Sequence, residues 1–150
     1  MSHFFEFESD FVDSLNCIPM TVRMKLDTCG VKLKLSHWNQ LNETERQTLV
    51  TMPCTTEEES QGYRNYLQQK VTEKTGRPAG ELAIDPHPPW TIEEKIPTEV
   101  SKKAAAERVE ITKQQWSQLT NRQRFALIKL SRSNHENKNF LPALKEFNLI

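Results

Sequence analysis

The sequence predicts a mainly α protein built as a tandem pseudo-repeat of one multi-helix unit, with a small β-ribbon between the N-terminal arm and residues 31–35. Three features point to it. Sliding the chain against itself by 78 positions pairs residues 18–69 with 96–147 without a gap and gives 11 identities in 52 pairs, where unrelated segments would give about three. Each copy opens on Ile-Pro, at Ile18-Pro19 and Ile96-Pro97, and proline suits the first helical turn because no amide donor is used there. Asn42 with Glu45, and Thr120 with Gln123, have the spacing at which a cap side chain and the third helical residue satisfy each other's backbone amides.

In chain order, Phe5-Glu6-Phe7-Glu8 alternates like a strand, while Phe4, Phe7, Phe11 and Leu15 also keep helical spacing. The reading adopted is a strand followed by a helix from Ser9, with Glu6 and Glu8 facing Lys32 and Lys34 across a strand pair. A helix from Pro19 should end at Gly30. Val31, Leu33 and Leu35 then alternate with Lys32 and Lys34 as an extended segment, and Ser36 offers an N-cap ahead of Trp38 and Leu41. In the second copy the cap is Thr112, two places earlier in register. Further helices start at 43 and 121, and Pro53 closes the first of them. Thr55 or Thr56 caps a longer helix with Tyr63, Tyr66, Leu67 and Val71 on one face, ending near Gly76.

The second copy has Asn134 at the matching cap, but Pro142 falls inside the helix that should follow and would kink or restart it. Residues 76–95 hold four of the eight prolines and two of the four glycines, which marks a non-helical crossover between the copies. A length of 150 residues suits a single domain. Its parts are an arm at 1–17, repeats at 18–69 and 96–147, and the crossover at 76–95.

Twenty Lys and Arg balance twenty Asp and Glu, so the chain carries no net field to gather nucleic acid or an anionic membrane surface. Its apolar runs are far shorter than a bilayer requires and its first residues are acidic, so a cytoplasmic protein is expected. Cys17, Cys29 and Cys54 form no CxxC pair and leave an odd thiol, which suits a reducing compartment.

No Gly-rich phosphate loop, Walker motif or GxSxG occurs. His135-Glu136 opens like HExxH, but Asn139 stands where the second histidine is needed. Cys17, Cys29, Cys54 and His37 match no zinc spacing, and the second copy has Lys95, Glu107, Arg132 and Gln115 at those places. No catalytic residue, metal or cofactor is therefore expected. Residues kept in both copies should serve the scaffold: Trp38 and Trp116 as core, Arg46 with Glu58 and Arg124 with Glu136 as ion pairs linking successive helices. The candidate docking surface is the polar run 131–140, with Arg132, Asn134, His135, Glu136, Asn137, Lys138, Asn139 and Phe140. A solvated loop is its plain alternative. Trp90, beside the stiff His87-Pro88-Pro89, either anchors a second contact or covers the seam between the copies, and the seam is the reading taken.

The string FFEFESDFVDSLNCIPMTVRMKLDTCGVKLKLSHW, the block MPCTTEEE and the tail QRFALIKLSRSNHENKNFLPALKEF together resemble the nitrate reductase associated proteins of cyanobacteria, over nearly the whole chain. The resemblance implies a cytoplasmic accessory or maturation factor acting with the assimilatory, molybdenum-cofactor nitrate reductase, whose genes tend to neighbour this family and molybdopterin synthesis. It implies nitrate reductase as the protein partner and no catalytic residues. Two alternatives stay open: a stable regulatory or electron-delivery subunit of that enzyme, or a carrier of a molybdopterin-type ligand, which would need a deep pocket.

Overall fold

Eight α-helices and one two-stranded ribbon account for most of the described residues of the computed structural model, which are 4–9, 17–132 and 137–150. The chain divides inside the Pro-rich crossover into two compact units, Met1–Asp85 and Pro86–Ile150.

The first unit contains α1 (Met20–Cys29), β1 (Val31–Lys32), α2 (Leu35–Gln40), α3 (Glu43–Thr51), α4 (Glu57–Thr75) and β2 (Gly80–Glu81). Pro19 stands at the N-cap of α1, its carbonyl accepting from the amides of Val22 and Arg23, and Gly30 ends the helix at φ 77°. Asn42 and Glu45 exchange two 2.8 Å bonds at the start of α3. Of the two candidate caps for α4, Thr56 is the one used: its hydroxyl accepts from Glu59 N at 3.1 Å. Helix α4 packs on α1, α2 and α3, and Val22, Trp38, Leu49, Tyr63, Leu67 and Val71 close the core between them. Burial of each such side chain contributes on the order of 1.5–3 kcal/mol. Tyr63 keeps its hydroxyl satisfied by donating to Leu49 O at 2.7 Å. Lys25 reaches the carbonyls of Val50 and Met52, at 2.6 and 2.7 Å, and so caps the open end of α3.

The ribbon differs from the expected one. Strand β1 pairs antiparallel with β2, Val31 opposite Glu81 and Lys32 opposite Gly80, and not with Phe5–Glu8 of the N-terminal arm. Glu6–Glu8 form a 3-10 turn. Glu8 is buried, and its carboxylate accepts from Phe5 N and from Met20 N, both at 3.1 Å. Met20 opens α1, whose amides are electropositive and lack acceptors, and Pro19 has no side-chain oxygen to offer. A carboxylate gains more there than opposite an exposed lysine on a strand. Residues 10–16, where the predicted first helix would run, lie outside the described residues.

Helix α2 begins one residue before the predicted cap. Its N-cap is Lys34, whose amide donates to His37 Nδ1 at 3.1 Å, and Ser36 lies inside the helix. Lys34 is 78 residues from Thr112, so the two caps stand in register after all.

The second unit contains α5 (Thr98–Ala106), α6 (Lys113–Gln118), α7 (Asn121–Arg132) and α8 (Phe140–Glu146), with 3-10 turns at Pro89–Thr91 and Asn137–Asn139. Helix α7 is its centre: residues 124–128 and Leu130 are all buried, and α5, α8 and both 3-10 turns pack around it. Thr112 with Gln115, and Thr120 with Gln123, make the reciprocal cap bonds at 2.9 and 3.1 Å. Pro142 is the third residue of α8, inside a first turn that needs no donor, so it fits a helix restarting at Phe140. Asn134, the predicted cap, lies outside the described residues.

Several local features recur at the 78-residue offset. Helices α1 and α5 start at 20 and 98, α2 and α6 span 35–40 and 113–118, and α3 and α7 start at 43 and 121. Gly30 and Arg108, the same distance apart, both take positive φ, 77° and 60°. Trp38 and Trp116 are both fully buried.

Candidate functional site

The predicted docking run ends one helix and starts the next in the second unit. Arg132, the last residue of α7, is exposed and binds Glu99 Oε1 on α5 through Nη2 at 2.7 Å and Nε at 2.9 Å. An exposed pair of this kind contributes about 0–1 kcal/mol, so a partner carboxylate could replace Glu99 at little cost. Lys138 is exposed and Asn139 half-buried. Asn137 is placed only as backbone of its turn, and Asn134, His135 and Glu136 lie outside the described residues. Phe140 is fully buried. An aromatic ring opening α8 finds more apolar contact beneath α7 than in water, which makes it an anchor for the run and leaves no side-chain surface for a partner.

Trp90 is also inside. It is 8% exposed and meets Phe125 edge to face, with centroids 5.0 Å apart and planes at 88°. What draws it inward is Arg124, which is 2% exposed and donates to Trp90 O at 2.7 Å, Trp116 O at 3.0 Å, Leu119 O at 2.6 Å and Asn121 Oδ1 at 2.6 Å. Trp116 adds a bond from Nε1 to Ile92 O at 3.1 Å. Together they staple the end of the crossover onto α6 and α7. Burial lowers the pKa of the Arg124 guanidinium, and Glu93, 4.0 Å away, opposes that shift.

Arg46 was expected to pair with Glu58 and binds carbonyls instead. It donates from Nε to Trp38 O at 3.1 Å and from Nη2 to Asn39 O at 3.0 Å, while Glu58 is exposed on the first turn of α4. Arg124 binds carbonyls as well as lying near Glu93, and its expected partner Glu136 is outside the described residues. A guanidinium presents five donors and suits the open C-terminus of a short helix, where several carbonyls lack partners. The signal was in the sequence: each arginine follows a six-residue helix at the same distance and sits one turn into the next.

Charge separates the units in a way the neutral total conceals. Residues 1–85 hold nine Lys and Arg against thirteen Asp and Glu, and residues 86–150 hold eleven against seven. The candidate run belongs to the basic unit, where Lys102, Lys113, Arg132, Lys138 and Lys145 are exposed.

Two open hollows of about 500 and 520 Å³ lie on this unit, lined mostly by charged and polar residues, with Ile96 and Ile111 in the second, and sharing Glu94 and Lys113. Neither is the deep apolar cavity that would enclose a pterin-sized ligand. Among the described residues no three metal-ligating side chains come together; of the four considered, Cys29 and Cys54 are neighbours, whereas His37 Nδ1 accepts from Lys34. No described helix is long and apolar enough to cross a membrane.

Comparisons with curated proteins and with solved structures find no match. The model of the conserved nitrate reductase-associated proteins matches residues 4–147, which takes in both units, the crossover and the docking run. With nearly every described element inside that match, the chain belongs to the conserved nitrate reductase-associated protein family.

Proposed function

We propose that this protein is a non-enzymatic, cytoplasmic accessory factor of the cyanobacterial type, which binds the molybdenum-cofactor assimilatory nitrate reductase and supports its maturation or activity. The observation that carries the reading is the family match, whose description ties the family to nitrate reductase and which extends over the whole two-unit chain. Short helices closed by side-chain caps and carbonyl clamps suit a protein that presents a surface to a partner. The matching helix starts, the arginine clamps and the paired positive φ angles, all 78 residues apart, support a tandem duplication as the origin of that scaffold.

The proposed contact is the basic unit, through Arg132, Lys138 and the neighbouring 134–137 run, against an acidic face of the enzyme. Expression of nitrate reductase with and without this protein, measuring activity, molybdenum and iron-sulfur content together, tests the reading. Low metal content without the protein supports maturation. Full content with low activity supports a regulatory or electron-delivery subunit, which would also stay bound to the mature enzyme. Unchanged activity and content, together with no co-purification with either apo or mature enzyme, overturns the proposal.

A further inference from the structure

The first unit brings together two side chains that the scaffold does not require. Cys29 is the last residue of α1, and Cys54 lies in the connection from α3 to α4. Both are buried, and each thiol acts electrostatically on the other. Cys54 Sγ also lies 3.6 Å from Lys25 O, and Cys29 Sγ 3.8 Å from Leu26 O, so both sulfurs rest against the last turn of α1. The positions 78 residues on are Glu107 and Arg132, so the cognate corner of the second unit is built without thiols. Packing alone explains two small buried residues. It does not explain the polar groups aimed at one of them.

Cys54 stands two residues before Thr56, the cap of the 19-residue helix α4, at the electropositive end of that helix. Ser60, in the first turn, and the Lys25 ammonium on α1 both act on it. Lys25 is held near by its bonds to Val50 O and Met52 O. Cys29, with Ser60 and Lys25, lowers the Cys54 pKa against the opposing effects of burial and Glu59, while Cys54 and burial raise that of Cys29. The pair is thus unequal, with Cys54 the more acidic thiol.

We propose that Cys29 and Cys54 form a two-electron redox site that a small hydroperoxide closes to an intramolecular disulfide. The Cys54 thiolate attacks one oxygen of hydrogen peroxide, forming an S–O bond and breaking the O–O bond, and hydroxide leaves. The Cys29 sulfur then attacks the resulting sulfenic acid, the S–O bond breaks as the S–S bond forms, and the Cys29 proton leaves with that oxygen as water. Two thiols and one peroxide give one disulfide and two waters.

The test uses the full folded chain. It is treated with hydrogen peroxide, quenched with catalase, unfolded and alkylated, and its thiols are counted and its peptides mapped by mass spectrometry. Two of the three thiols should disappear, a Cys29–Cys54 linked peptide should form, dithiothreitol should restore both, and Cys17 should remain alkylatable. In Cys29→Ser, dimedone should trap Cys54 as the sulfenic acid; in Cys17→Ser the wild-type disulfide should still form, which keeps the question open to measurement if the buried variant folds poorly. Three free thiols after treatment, or a disulfide that includes Cys17 or a second chain, overturns the proposal.

Discussion

Arg46 and Arg124 stand 78 residues apart, and each grips the carbonyl of the tryptophan eight residues before it. One is half-buried with bonds to Trp38 and Asn39, while the other is 2% exposed and also holds Trp90, Leu119 and Asn121. The same local motif therefore serves two purposes. In the first unit it closes a helix end, and in the second it also ties the crossover down. The difference in burial, more than the number of bonds, sets what each arginine is worth, because a carbonyl orphaned away from water keeps its whole desolvation penalty.

The largest effect should come from removing that clamp. Arg124→Met should lower unfolding stability by about 3–5 kcal/mol, since buried carbonyls of Trp90, Trp116 and Leu119 lose their donor together, whereas Arg46→Met should cost about 1 kcal/mol. Urea unfolding followed by tryptophan fluorescence compares them. Equal losses would break the distinction between the two sites.

Trp90→Ala follows, with an expected loss of about 3 kcal/mol, since a buried indole and its edge contact with Phe125 are deleted. Lys138→Glu, on the exposed part of the docking run, should stay within about 0.5 kcal/mol of the parent while weakening capture of nitrate reductase. A Trp90→Ala protein of parental stability that no longer binds the enzyme would restore Trp90 as a surface anchor.

A third contrast concerns how the two proline-led helices begin. Both Pro19 and Pro97 lack a side-chain acceptor, and α1 takes its acceptor from Glu8, twelve residues earlier. Glu8→Gln should cost about 2 kcal/mol, because one carboxylate oxygen is replaced by an amide group that faces a backbone donor. Thermal unfolding of the variant measures it. No change would mean that the arm contributes nothing to the start of α1.

These contrasts show where the sequence was legible. Cap pairs such as Asn42 with Glu45 and Thr120 with Gln123 could be read because both partners lie within four residues and the chemistry is local. Buried Trp38 and Trp116 could be read because apolar periodicity survives without knowledge of the neighbours. The arm could not, since Glu8 satisfies an amide twelve residues away, and alternation of Phe and Glu carries no record of a distant helix end. The ribbon partner failed for the same reason: Gly80 and Glu81 sit in a segment whose composition reads only as turn and crossover. Of the candidate docking run, Arg132 and Lys138 are on the surface, while Phe140 is buried, because flanking polar residues do not reveal that α7 has an apolar face to cover.

Effects of opposite sign are expected at Gly30 and Arg108, and they test whether the two units correspond. Gly30 at φ 77° is followed by Val31 pairing into the ribbon, and a Cβ there would come within 2.8 Å of Ile84 Cγ1 and 3.0 Å of Leu82 O. Ile84 can turn aside, but Leu82 is held by its own amide's bond to Gly30 O at 2.9 Å. Gly30→Ala should therefore cost about 1–2 kcal/mol from the left-handed backbone, with added crowding against Leu82. Arg108 takes φ 60° at the end of α5, where Val109 N returns to Ala104 O at 2.8 Å. There the substitution runs in the other direction. Arg108→Gly relieves the same backbone strain, against the greater freedom glycine gives the unfolded chain, and should gain about 0.5 kcal/mol. Opposite signs at positions 78 apart, read as a lower and a higher unfolding midpoint, are what one shared helix ending with two different residues requires. A loss at both would show that Arg108 holds its conformation through its side chain, and the two helix ends would then be alike in shape only.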